Sequence, residues 1–90
     1  MDRIGVHILQ CSNGRYYVGS TKNIEVRFAE HVTGKVASTR NLLPVELSLF
    51  QPCTTVAEAR SLEYRIKKLK SRKIVDRMVQ EQSIRMNTGP

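Results

Sequence analysis

Residues 3–20 have the sequence RIGVHILQCSNGRYYVGS, and this stretch decides the fold. Apolar positions alternate along Arg3–Cys11, which predicts a β-strand with one buried face. The turn 12–14 contains Asn-Gly, and Arg15–Ser20 is predicted to return as a second strand. We therefore expect a β-hairpin at the start of the chain.

The length of the hairpin turn decides which side chains share a face. A two-residue loop would put His7 and Tyr17 on opposite faces of the hairpin. A three-residue loop, with Gly14 in the left-handed conformation, places His7 opposite Gly19. This second register gathers Ile4, Val6, Ile8 and Val18 on one face, and His7, Leu9, Tyr17 and Gly19 on the other. We favour it because it collects the aliphatic side chains on one side.

Capping residues and apolar spacing predict the elements that follow the hairpin. Asn23 is a helix N-cap, and a helix is expected to run to about Val32, with Arg27 and His31 beside its apolar stripe. Residues 33–43 are predicted to be a loop, and a third strand is expected over Val45–Phe50. The apolar stripe of the helix is Ile24, Phe28 and Val32, and the apolar face of the strand is Val45, Leu47 and Leu49.

Two helices are predicted in the second half of the chain. Thr55 and Glu58 form a capping box, and the helix is expected to run to about Lys70, with Glu63 inside its apolar face. Ser71 is expected to cap a short last helix. The predicted inner sides are Val56, Ala59, Leu62, Ile66 and Leu69 for the first helix, and Ile74, Val75, Met78 and Val79 for the second.

This order of elements, β-β-α-β-α-α, predicts a small α+β fold, because three short strands are too few for a doubly wound sheet. Residues 1–80 are expected to form one domain and residues 81–90 a loose C-terminal tail. Ninety residues leave no room for a second core.

Composition narrows the class of protein further. Fifteen Lys and Arg against eight Asp and Glu give a net charge of +7, which favours a polyanionic partner. No apolar run is long enough for a transmembrane helix, and no secretory signal is expected, so a membrane partner is not predicted. Cys11 and Cys53 have no metal-binding spacing, and free thiols are typical of a cytoplasmic protein.

Glu63 is the most informative single residue, because an ionised carboxylate is costly to bury without a partner. It either pairs with Lys67 or Arg60 on its own helix, or serves as an oxygen ligand for Mg²⁺. Arg27 and His31 are either solvated residues or groups that bind a phosphate.

A run of basic residues follows Glu63. It either keeps the protein soluble or follows a phosphate backbone without recognising base sequence. The candidate nucleic-acid-binding residues in this run and in the preceding loops are Arg15, Lys22, Lys35, Arg40, Lys67 and Lys70.

The motif Gly5-Val6-His7, followed after nine residues by Tyr17-Val18-Gly19, resembles the two-part signature of the GIY-YIG endonuclease superfamily. The segments 25–31, 34–40, 44–47 and 58–69 resemble its small stand-alone, single-domain members. The resemblance covers residues 3–79. It implies a three-stranded antiparallel sheet flanked by helices, and metal-dependent cleavage of DNA phosphodiester bonds.

The resemblance also implies a role for each candidate site residue. Tyr17 matches the tyrosine near the attacking water, Arg27 the arginine that steadies the scissile phosphate, and His31 a supporting histidine. Glu63 matches the sole protein ligand of one Mg²⁺ or Mn²⁺ ion, and no small-molecule cofactor is implied. His7 stands where the family has tyrosine, and imidazole could accept a proton from the water or hold it in place.

Two functions are therefore expected from the sequence. The first is a metal-dependent DNA endonuclease of low sequence specificity, acting in DNA repair or recombination. The alternative is a catalytically impaired nucleic-acid-binding module of the same fold, disabled by His7. A third hypothesis, a protein whose basic face only keeps it soluble, predicts no salt-sensitive DNA binding. The sequence does not specify the oligomeric state.

Overall fold

The computed structural model describes residues 3–84 and shows an α+β fold with the predicted order of elements and one additional short helix. The strands are β1 (Gly5–Gln10), β2 (Tyr16–Thr21) and β3 (Glu46–Pro52), in the antiparallel order β2-β1-β3. The helices are α1 (Ile24–Val32), α2 (Ala37–Arg40), α3 (Val56–Leu69) and α4 (Arg72–Glu81). The predicted fold class is confirmed. Within residues 3–84, no helix has both the length and the apolar character needed to cross a bilayer.

The hairpin has the three-residue loop that the sequence favours. The amide of Cys11 donates to the carbonyl of Arg15 at 2.8 Å, and the amide of Gly14 donates to the carbonyl of Cys11 at 2.9 Å. Gly14 has φ +84°, a left-handed conformation that glycine adopts without a steric penalty. His7 consequently lies opposite Gly19, as predicted.

The two faces of the sheet carry different layers. One face carries α3 and α4 over an apolar core that consists of Val6, Ile8, Leu49, Cys53, Ala59, Ile66, Val75 and Met78. On the other face, Leu9, Cys11 and Val45 form a smaller cluster with Phe28 of α1 and residues 42 and 43. The helices α1, α3 and α4 begin at the predicted caps, since Asn23, Thr55 and Ser71 each accept a hydrogen bond from a first-turn amide.

The predicted buried stripe of α1 is wrong at its C-terminal end. Val32 is 49% exposed, whereas His31 is completely buried. Seven residues advance a helix by about 700°, almost two full turns, so His31 lies nearly in line with Ile24. Eight residues overshoot by about 80°, which turns Val32 towards solvent.

The predicted apolar face of β3 is also wrong. A register irregularity between Ile8 and Leu9 pairs these residues with Leu49 and Leu47, so β3 has one extra residue there. Leu49 packs in the large core, Val45 packs in the cluster on the opposite face, and Leu47 is 40% exposed. An extra residue inverts the alternation of faces, which an unbroken period of two does not anticipate.

Three further differences lie outside the sheet. The predicted loop 33–43 contains α2, whose helical bond runs from the amide of Arg40 to the carbonyl of Val36. Leu69 and Ile74, expected to face inward, are each 40% exposed at the ends of their helices. Residues 81–84 of the predicted tail close α4, where Gln82 donates to the carbonyl of Ser48, and residues 85–90 lie outside the described residues. The loose tail therefore stays a prediction.

Candidate active site

Three aromatic rings meet on the α1 face of the sheet. His7 projects from β1, Tyr17 from the neighbouring β2, and His31 from the last turn of α1. The ring centroids are 6.2 Å apart for His7 and Tyr17, 5.7 Å for His7 and His31, and 5.0 Å for Tyr17 and His31. The structure therefore brings together three of the four residues predicted to be catalytic.

The two imidazoles are buried and short of hydrogen bonds. His7 is 1% exposed and His31 is fully buried. Both ring nitrogens of His7 and Nε2 of His31 are buried without a hydrogen-bond partner among the described residues. An unsatisfied buried polar atom costs about 1–3 kcal/mol, so such atoms in a native fold require a reason. A polar ligand or water at this cluster would supply the missing partners.

Thr39 holds the remaining nitrogen of His31. Its hydroxyl and Nδ1 of His31 are joined by a hydrogen bond of 2.8 Å, and Thr39 is also fully buried. The bond fixes the orientation of the ring. Thr39 belongs to α2, the helix that sequence patterns did not predict.

Gly19 makes room for His7. A Cβ atom at position 19 would lie 2.6 Å from Nε2 of His7 and 3.3 Å from the ring of Tyr17. Any larger residue would therefore displace the imidazole. The glycine of the Tyr17-Val18-Gly19 motif is therefore needed for the packing of the cluster.

Burial and neighbouring charge set the protonation of both histidines. Desolvation, together with the positive charges of His31 and Arg27, lowers the pKa of His7 to about 4, although Glu63 opposes the shift. Desolvation and Arg27 also lower the pKa of His31. His7 is consequently neutral at pH 7 and a weak base, better suited to orienting a water than to removing its proton.

Arg27 lies on the flank of α1, close enough to both imidazoles for its charge to lower their pKa values. Its guanidinium is 36% exposed and lies 3.3 Å from the carboxylate of Glu30. Exposed ion pairs of this kind contribute little to stability, so Arg27 is available to a phosphate at little cost.

Glu63 is a half-buried, ionised carboxylate. Oε1 accepts a hydrogen bond from the hydroxyl of Ser20 at 2.5 Å, and Oε2 accepts one from Nζ of Lys67 at 2.6 Å. Desolvation opposes ionisation, but these hydrogen bonds and the charge of Lys67 outweigh it and lower the pKa of Glu63. The pairing with Lys67, one of the alternatives left open by the sequence, is present, and Ser20 is an additional partner.

Glu63 reaches the site from the other side of the sheet. Ser20 lies between Gly19 and Thr21 on β2 and faces α3, whereas Tyr17 and Gly19 face α1. Because β2 is an edge strand, a carboxylate on α3 can approach the α1 face around it. The negative charge of Glu63 raises the pKa of His7, against the larger lowering effect of burial.

Glu63 could bind a divalent cation only if water and substrate supplied the other ligands. Among residues 3–84, no group of three or more His, Cys, Asp or Glu side chains could enclose a metal ion. Mg²⁺ is commonly held by one or two carboxylates, with waters and substrate phosphates as the other ligands. Glu63 fits that pattern, because its two oxygens keep lone pairs beyond those used by Ser20 and Lys67.

Five of the six candidate nucleic-acid-binding residues fall into two groups, and Lys22 lies apart from both. Arg15, Lys67 and Lys70 line one cavity beside β2. Lys35 and Arg40 lie in the segment between α1 and β3, where Arg40 donates to the carbonyl of Gly34 at 3.0 Å. Lys22 is exposed just after β2.

Sequence patterns missed Ser20 and Thr39. The orientation of Ser20 follows from the three-residue turn, because that register puts Ser20 on the same face as Val6 and Val18. Thr39 had no comparable signal, since one helical turn shows no apolar period.

A three-stranded antiparallel sheet flanked by helices carries His7 and Tyr17 on two neighbouring strands, and Arg27 and Glu63 on two helices. The family model for the GIY-YIG catalytic domain matches residues 3–75. The chain therefore belongs to the GIY-YIG family of nucleases, whose substrates are nucleic acids and whose members generally depend on a divalent metal.

The similar proteins are also small. The chain is 43% identical over 76 residues to a UPF0213 protein of Bacillus licheniformis, a match that covers 83% of this chain and 77% of that protein. It is 42% identical over 65 residues to a UPF0213 protein of Halobacterium salinarum, covering 71% and 84% of the two chains. The solution NMR structure of a UPF0213 protein from Bacillus halodurans superimposes with a TM-score of 0.58 at 31% identity, covering 89% of this chain and 85% of that chain.

Proposed function

We propose that this protein is a divalent-metal-dependent endonuclease that hydrolyses DNA phosphodiester bonds with low sequence specificity, in DNA repair or recombination. The observation that carries the proposal is the cluster of His7, Tyr17 and His31, in which three of the four imidazole nitrogens lack a hydrogen-bond partner among residues 3–84, under the electrostatic influence of Arg27 and Glu63. Unsatisfied donors and acceptors next to a cation and an anion suit a bound phosphate and its attacking water.

Each residue has a role that matches its environment. Tyr17 and neutral His7 hold the attacking water in line with the phosphorus, and His31, oriented by Thr39, supports Tyr17. Water attacks the phosphorus as the bond to the departing sugar oxygen breaks; the water releases its proton to solvent, and the departing oxygen takes a proton from solvent. Arg27 stabilises the charge that develops on the phosphate oxygens.

Glu63 would hold one Mg²⁺ or Mn²⁺ ion, with Ser20 and Lys67 orienting its carboxylate. When bound, the ion supplies Lewis-acid polarisation of a phosphate oxygen and of the leaving oxygen. The carboxylate is ionised at neutral pH because its pKa is lowered, so it is ready to bind a cation without losing a proton.

Low sequence specificity is proposed because lysine and arginine side chains on one small basic surface would contact phosphates and not base edges. Lys22, Lys35 and Arg40 would extend the contact with the DNA backbone beyond the cavity residues. We further propose that the protein acts in the cytoplasm, where the free, buried thiols of Cys11 and Cys53 would stay reduced.

A second candidate is a nucleic-acid-binding module of the same fold that no longer cleaves. The pKa of about 4 for His7 favours this candidate, because His7 replaces the tyrosine of the first motif with a weak base that is neutral at pH 7. In that case the basic surface would bind DNA, and the cluster of rings would have lost its chemistry.

Cleavage of end-labelled DNA with Mg²⁺, with Mn²⁺ and with EDTA tests the proposal. Glu63→Gln keeps the shape of the side chain and removes its charge. We expect it to lower metal-dependent cleavage by about 100-fold or more. Glu58→Gln is the matched control, because Glu58 is an exposed glutamate on the same helix and bonds to Thr54. Equal rates for Glu63→Gln and wild type would contradict the metal-binding role.

The same assay separates the two candidates. Salt-sensitive DNA binding without cleavage by wild type, with cleavage gained by His7→Tyr, would establish the impaired module. Cleavage by wild type that needs Mg²⁺ or Mn²⁺ would establish the endonuclease.

A further inference from the structure

A cavity of about 430 Å³ lies between β2 and the junction of α3 with α4. Four cationic side chains line it, Arg15, Lys67, Lys70 and Arg72, and none of its lining residues is acidic. Lys67 is paired with Glu63, and Arg72 lies 3.8 Å from Asp76. Arg15 and Lys70 have no acidic partner among residues 3–84, and a bound anion would balance their charge. The charge of the cavity therefore indicates a phosphate-bearing ligand.

The cavity also has an apolar and aromatic wall, formed by Val18, Ile66, Val75 and the ring of Tyr16. The hydroxyl of Tyr16 donates to Asp76 at 2.8 Å, which fixes the ring in place. The guanidinium carbon of Arg72 lies 5.0 Å from the centroid of that ring. A phosphate group gains no favourable contact from an apolar wall, whereas a nucleobase stacks on an aromatic ring or on a guanidinium plane.

We propose that this cavity binds one unpaired nucleotide of the substrate strand, with its phosphate on the cations and its base against Tyr16. The proposal rests on the endonuclease function and adds the conformation of the substrate at the site. The nucleotide must be unpaired, because a base inside a duplex is stacked on both faces and cannot enter a concave site.

The cavity lies next to the proposed cleavage site, because Lys67 contributes to both. Lys67 lines the cavity and also donates to Glu63, four residues away, or about 6 Å along α3. A strand whose scissile phosphate lies at Glu63 can therefore place a neighbouring nucleotide in the cavity. Tyr16 and Tyr17, adjacent on β2, would serve the nucleotide site and the cleavage site on opposite faces of the same strand.

Binding without cleavage tests the proposal. Fluorescence anisotropy in EDTA measures the affinity of the wild-type protein for two labelled strands. One is a twelve-nucleotide oligothymidylate, and the other is an abasic strand with the same number of phosphates. We expect the abasic strand to bind about fivefold or more weakly, as the loss of one stacked base requires. A twelve-base-pair duplex is expected to bind less tightly than the single strand. Equal affinity for the two strands, or tighter binding of the duplex, would overturn the proposal.

Two pairs of variants test whether the preference for bases arises in this cavity. Arg72→Gln should reduce the preference for bases and flatten the dependence of log K on log salt by about 0.7. Lys73→Gln removes the same charge from the next exposed residue, which does not line the cavity, and should leave the base preference unchanged. Tyr16→Leu should abolish the preference, whereas Tyr16→Phe, which keeps the ring, should retain it.

Thermal melting shows whether Tyr16→Leu folds. If it does not fold, Arg72→Gln and Lys73→Gln on α4 test the nucleotide site in its place. Equal losses for Arg72→Gln and Lys73→Gln would overturn the proposal, because they indicate a diffuse basic surface. These measurements need neither metal nor cleavage. A protein that cleaves DNA but shows no base preference would disprove the nucleotide site and leave the endonuclease proposal intact.

Discussion

The two faces of the sheet bury different kinds of side chain. The face under α3 and α4 is covered by aliphatic side chains such as Ile8 and Ile66, and it follows the apolar patterns of the sequence closely. The face under α1 buries His7, His31 and Thr39, and three of its ring nitrogens lack partners among the described residues. The first face stabilises the fold, and the second retains polar groups whose burial is unfavourable to folding.

This difference indicates where function lies. Buried polar atoms without partners lower the free energy of unfolding, so a fold that served stability alone would replace them with apolar side chains. Their presence beside Arg27 and Glu63 is consistent with the trade between stability and activity that binding sites show. The predictions below test whether the two faces differ in this way.

The largest expected effect is on the apolar face. Ile8→Ala should lower the free energy of unfolding by about 2–5 kcal/mol, because it leaves a cavity in a core that is closed to solvent. Urea unfolding followed by circular dichroism measures the change. At temperatures where the variant stays folded, its rate of DNA cleavage should match that of wild type. Selective loss of cleavage in folded Ile8→Ala would show that the two faces are not independent.

The next effect concerns pH and the polar face. The pKa of His7 is about 4 in the folded state and 6.5 when unperturbed, so the unfolded state binds more protons between these values. Stability therefore falls as the pH drops from about 7 towards 4, by up to roughly 3 kcal/mol from His7 alone. His31 acts in the same direction, since its pKa is also lowered.

A variant without the titrating ring is the control for this pH dependence. His7→Leu should flatten the fall in stability between pH 7 and pH 4, as measured by urea unfolding in a series of buffers. It should also be at least as stable as wild type at pH 7, because it removes two unsatisfied nitrogens. An unchanged pH profile in His7→Leu would mean that His7 is not buried in its neutral form.

The smallest expected effect concerns the bond between Thr39 and His31. Thr39→Val keeps the shape of the side chain and leaves Nδ1 of His31 unsatisfied, at a cost of about 1–3 kcal/mol. Thr39→Ser keeps the hydroxyl and should lose under about 1 kcal/mol. If Thr39 orients His31, cleavage should fall in the valine variant and be restored in the serine variant. Equal cleavage by both variants would limit Thr39 to a structural role.

Local sequence signals predicted the hairpin and the helix starts well. The turn around Gly14 set the register that places His7 opposite Gly19, and Asn23, Thr55 and Ser71 cap the helices as expected. These features depend on backbone conformations and hydrogen bonds within a few residues, so they can be inferred without knowing the tertiary structure.

Other features depended on contacts that are remote in sequence. His31 replaced Val32 as the buried residue of α1, α2 formed within a predicted loop, and an extra residue in β3 turned Leu47 outward. Each outcome follows from how one element packs against another, and a periodic pattern within a single segment carries no information about that packing.

The order of elements, the hairpin register and the residue types available to the site follow from the amino-acid sequence alone. The folded structure adds that His31 turns inward onto Thr39, that Ser20 donates a hydrogen bond to Glu63, and that the charge of Glu63 acts on His7. The physical reason is the range of the interactions. Caps and turns act over a few residues, whereas desolvation and charge act between side chains that only the folded chain brings together.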